Sequence, residues 1–69
     1  MTIQELKNQI TVEMKNAGFV NADRPNTIDY DLADRIYVWV HRVRALGSEY
    51  FENNTCFKAP LKNIVYKLA

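Results

Sequence analysis

The stretch Asp29-Tyr30-Asp31-Leu32-Ala33-Asp34-Arg35-Ile36-Tyr37-Val38-Trp39-Val40-His41-Arg42-Val43-Arg44-Ala45-Leu46 decides the fold. Its core, Ile36-Tyr37-Val38-Trp39-Val40, is rich in β-formers, so a strand over residues 35–40 competes with a helix. Periodicity separates the two. Leu32, Ile36, Trp39, Val40, Val43 and Leu46, extended by Ala33, form one broad apolar arc at helical spacing over about fifteen residues. Charge agrees with the helix. Asp29, Asp31 and Asp34 crowd its start and His41, Arg42 and Arg44 its end, complementing the helix dipole, and Gly47 stops it. The spacing predicts a helix over 29–46, with Asn26, Thr27 or Asp29 as N-cap and Asp31 placed to pair with Arg35 across one turn.

A second helix is predicted on the N-terminal side, over 2–17. Thr2-Ile3-Gln4-Glu5 has capping-box spacing, and Ile3, Leu6, Ile10, Met14 and Ala17 fall within roughly 80° of a helical wheel. Gly18 suits the left-handed residue that ends it, with Phe19 and Val20 tacking the following connection to the core. Val12 stands opposite this stripe. The connection to Ile28, containing Asn21, Asp23, Pro25, Asn26 and Thr27, reads as loop, Pro25 holding Arg24 extended.

On the C-terminal side the pattern weakens over 48–59. Two alternatives stand there: a short helical turn capped by Ser48, or a small hairpin about Asn53-Asn54. Pro60 then opens a third helix over 60–68, with Leu61, Ile64, Val65 and Leu68 at i, i+3, i+4, i+7. Three amphipathic helices predict an all-α, small three-helix bundle, with residues 1–69 as a single helical domain.

Composition limits the chemistry. The chain has 69 residues, one cysteine, one histidine, two glycines and a net charge of +1. One cysteine closes no internal disulfide, and one His with one Cys falls short of the usual zinc sets, so no metal and no cofactor is expected. Gly18 and Gly47 both read as helix stops, leaving no glycine-rich phosphate loop. Cys56 and His41 are a nominal nucleophile–base pair without an orienting partner, and Cys56 beside Phe57 reads more simply as a small buried apolar residue. The early charges Glu5, Lys7, Glu13 and Lys15 interrupt any leader or membrane-spanning run, which makes a cytoplasmic address the expectation. No enzymatic activity is expected.

What remains is surface. Eight aromatics and the aliphatic set exceed what so short a bundle can bury, and exposed aromatics beside arginine are the residue types of interface hot spots. Tyr30, Tyr37 and Arg44 share one flank of the central helix and Trp39 and Arg35 the other, with Lys62 and Tyr66 on the last helix as secondary candidates. The expectation is a non-enzymatic module (an inhibitor, adaptor or regulatory subunit) that docks onto another protein through these residues. Val12 and the small core keep self-association as a homodimer open. The alternative is nucleic-acid binding by the basic half: residues 1–34 set three cations against six carboxylates, and residues 35–69 six cations against two.

Overall fold

The computed structural model describes residues 2–21, 23–24 and 27–69. It has four helices: α1 (Ile3–Asn16), α2 (Tyr30–Leu46), α3 (Ser48–Asn54) and α4 (Ala59–Leu68). The fold is an all-α small bundle in which α2 contacts α1, α3 and α4, and α1 also meets α4. Its radius of gyration, 11.7 Å, is close to the roughly 11 Å expected for a closed domain of this length.

Local chemistry sets the helix ends. The Thr2 hydroxyl accepts the Glu5 amide at 3.1 Å and starts α1. At its other end Gly18 takes φ +82°. The Gly18 and Phe19 amides donate back to the Lys15 and Met14 carbonyls at 3.1 and 2.9 Å, the paired bonds of a Schellman stop. Asp29 is the N-cap of α2, its carboxylate accepting the Leu32 amide at 3.2 Å. Of the three candidate caps, the one that wins directly precedes the apolar arc. Pro25 and Asn26 lie outside the described residues. The connection from α1 is pinned by an isolated antiparallel bridge between Val20 and Ile28, and Phe19 and Val20 pack against the core.

The core joins Leu6, Ile10 and Met14 of α1, Ile28, Ile36 and Val40, Phe51 of α3, and Leu61, Ile64 and Val65 of α4. No polar side chain is buried among the described residues. Ile3 and Ala17 are exposed, so the buried stripe of α1 is shorter than its periodicity suggests: both stand at the ends of the stripe.

The segment after Gly47 differs most from expectation. Of the two alternatives the helical one holds and the hairpin does not: residues 48–54 form two turns of helix, long enough to make a fourth helix of the bundle. Ser48 does not cap α3. It is the first helical residue, Gly47 at φ +93° is the cap position, and no side chain caps the helix. What holds so short a helix is packing. Phe51 is fully buried, its ring 5.1 Å from Trp39, 6.1 Å from Phe57 and 5.4 Å from Tyr66. Aromatic pairs at such separations add about 0.5–1.5 kcal/mol beyond burial, more than the intrinsic propensity of seven residues can provide. Pro60 is the second, not the first, residue of α4, which begins at Ala59.

Candidate functional site

The helix α2 has two flanks, and the structure uses them differently. On the first, Tyr37 is half-buried, stacks edge-on with His41 at 4.6 Å and lies under the Lys7 ammonium at 5.4 Å. One turn past Val40, Arg44 reaches across to α4 and donates to the Leu68 carbonyl at 2.6 Å, satisfying one of the acceptors a helix C-terminus leaves open. Tyr30, 65 % exposed, borders a cavity of about 410 Å³ in the α1–α2 seam with Gln4, Lys7 and Thr11. Tyr37 and Arg44 thus tie α2 to α1 and α4, while Tyr30 stays exposed on the same flank.

The second flank is open. Asp34, Arg35, Val38, Trp39 and Arg42 of α2 face Asn54, Thr55, Cys56 and Phe57 across a groove of about 530 Å³. Helical spacing explains the α2 wall, since residues 35, 38, 39 and 42 recur at i, i+3, i+4 and i+7. The other wall exists because α3 ends at Asn54 and the chain turns extended at Thr55, whose hydroxyl accepts the Phe57 amide at 3.1 Å. Trp39 forms the floor, with Phe51 5.1 Å from its ring and Tyr50 6.0 Å away at the groove end. The Arg42 guanidinium lies 5.0 Å from the centre of the Trp39 ring, a cation–π contact that holds it over the groove. Val38 is 42 % exposed and Leu46, one turn past Arg42, 60 % exposed.

Cys56 is exposed and lines this groove, where the sequence suggests a buried apolar residue. The chain turns outward after α3, and Phe51 and Phe57 fill the space beneath. His41 belongs to the opposite flank of α2, so it forms no nucleophile–base pair with Cys56. The expected Asp31–Arg35 pair does not form. Among the described residues the one ion pair is Lys67–Glu13 at 2.9 Å, linking α4 to α1. Among those residues, too, no three His, Cys, Asp or Glu side chains converge as a metal site would require, and no helix is long and apolar enough to cross a membrane.

Tyr66 and Lys62 share a face of α4 one turn apart, away from the groove lining. The Tyr66 hydroxyl donates to Glu52 at 2.9 Å and joins α4 to α3. Partial desolvation, the hydrogen bond to Glu52 and its negative charge all push the phenol above its ordinary value of 10.0. Val12, 54 % exposed, edges a smaller α1–α4 cleft beside Lys67 and Leu68.

Of the seven interface residues read from the sequence, the structure brings Arg35 and Trp39 together in one groove. Tyr30, Tyr37 and Arg44 lie along the opposite flank, and Lys62 and Tyr66 on α4. Arg42 and Val38 join Arg35 and Trp39 in the groove lining without being among those seven; in the sequence Arg42 counts with the α2 arginines and has a ready explanation in the helix dipole. The available signal was spacing, because Arg42 stands three residues after Trp39 and seven after Arg35. Compared with known proteins, the chain matches no protein-family model, no curated protein and no solved structure.

Proposed function

We propose that this chain is a small non-enzymatic protein-binding module, of the inhibitor, adaptor or regulatory-subunit kind, that docks a partner protein in the α2 groove. One observation carries the reading: an indole, two guanidiniums and an exposed valine line a single open groove. Trp and Arg are the side chains that most often dominate binding energy, because each offers a large contact area with a directional polar or cationic group. The exposed apolar side chains Leu46 and Tyr50 extend this side of the molecule beyond the groove itself.

Nucleic-acid binding is the weaker reading. Arg44 is tied to the end of α4 and Lys67 to Glu13, on other faces from Arg35 and Arg42, so the cations of the C-terminal half form no single track. The test is a photo-crosslinking residue placed at Val38, with a control at Lys15 on the outer face of α1. Nuclease-resistant protein adducts from position 38 alone are the expected result. Equal adducts from both positions, none from either, or adducts that vanish with nuclease would refute the reading.

A further inference from the structure

The groove has a spacing as well as a chemistry. Arg35 and Arg42 stand seven residues apart on one helix, so their Cα atoms are about 10.5 Å apart along its axis. Long side chains on a helix lean toward its N-terminus, and Arg42 does so onto the Trp39 ring. Neither guanidinium has a carboxylate within ion-pairing distance among the described residues. Between the two cations the α2 wall is apolar, Val38 and Trp39, and faces Cys56 and Phe57 across the groove, with Asn54 and Thr55 completing that far wall. Cation, apolar gap and cation therefore follow one another along a line about two helical turns long.

Resting on the docking reading above, we infer that the occupant is an amphipathic helical segment of another protein. That segment carries two carboxylates seven residues apart and a bulky apolar side chain between them. A helix repeats the same face every seven residues at the same 10.5 Å or so, and so matches α2 lying alongside it. An extended segment presents same-face side chains at about 6.6 or 13 Å and straddles the spacing. Carboxylates suit guanidiniums because the planar fork accepts two parallel hydrogen bonds. A continuous phosphate backbone fits less well, since it presents a charge at every step and no apolar side chain to meet Val38, Trp39 and Phe57. A second copy of this chain lacks the complement: no two of its carboxylates stand seven residues apart.

The test is selection of displayed helical peptides, randomised on one face, against the full chain. Binding is read by the emission of Trp39, the only tryptophan, and the selection is repeated on the double variant Arg35→Gln/Arg42→Gln. Both arginines are exposed, and circular dichroism checks that the variant stays helical. The inference expects selected peptides with Asp or Glu seven apart around an apolar residue, perturbing Trp39 and binding at least tenfold more weakly to the double variant. Peptides that perturb Trp39 but lack the acidic pair, or bind the variant equally well, overturn the occupant and leave groove docking intact. If no selected peptide perturbs Trp39, both readings fall. Tighter binding of a DNA or RNA oligonucleotide at Trp39, or a dimer in sedimentation that the double variant abolishes, also overturns the inference.

Discussion

The two flanks of α2 carry similar side chains and do opposite things. Tyr37 and Arg44 face neighbours that engage them: α1 approaches Tyr37 through Lys7, and α4 offers Arg44 the Leu68 carbonyl. Arg35, Trp39 and Arg42 look across a gap instead, because α3 is only seven residues long and the chain turns away at Thr55. An aromatic–arginine pair is therefore not a binding site by composition. It becomes a candidate for one where packing leaves it facing an open groove.

The comparison breaks most completely if the wall of the groove is removed. Phe51→Ala deletes a fully buried ring that touches Trp39, Phe57 and Tyr66. A loss of about 3–5 kcal/mol is expected, measured as a fall in the denaturant midpoint, with α3 detached and the groove lost. In a chain this short, such a loss approaches the whole of its stability.

A crossed pair of variants sharpens it. Arg44→Ala removes the bond to α4 and is expected to cost about 0.5–1.5 kcal/mol, leaving crosslinking from position 38 unchanged. Arg42→Ala is expected to alter stability by about 0.5 kcal/mol or less, as exposed substitutions usually do, yet to lose the crosslink. Chemical denaturation and crosslinking on both variants check this; the opposite assignment would show that the flanks have been confused.

The smallest effect concerns the α3–α4 tie. The folded state holds the Tyr66 proton more tightly than the unfolded chain does. That contribution is intact below pH 10, the unfolded value, and disappears as pH rises through the higher folded value. Thermal melts from pH 9 to 11 are expected to fall more steeply for the native chain than for Tyr66→Phe. Parallel slopes would remove the linkage.

How much of this was legible beforehand varies along the chain. The three long helices were visible because Leu6-Ile10-Met14, Ile36-Val40-Val43 and Leu61-Ile64-Val65-Leu68 repeat at the helical period, and Gly18 and Gly47 mark the ends. Within the candidate site, Arg35 and Trp39 were legible as surface types at the edge of an apolar arc. Arg42 was masked by a second sufficient explanation, its place near a helix C-terminus. Cys56 was placed wrongly, since an apolar neighbour in sequence does not say which way an extended segment faces.

The sequence by itself determined the three long helices, the Thr2 cap, the glycine stops and most of the inward faces, because those follow from interactions within a few residues: periodic burial, amide capping and backbone freedom at glycine. Only the tertiary structure decided that residues 48–54 are helical and which flank of α2 stays open. Both depend on contacts between distant parts of the chain, Phe51 against Trp39 and Tyr66, and Arg44 against Leu68. No local pattern encodes a partner 12 or more residues away; it is fixed only when the helices pack.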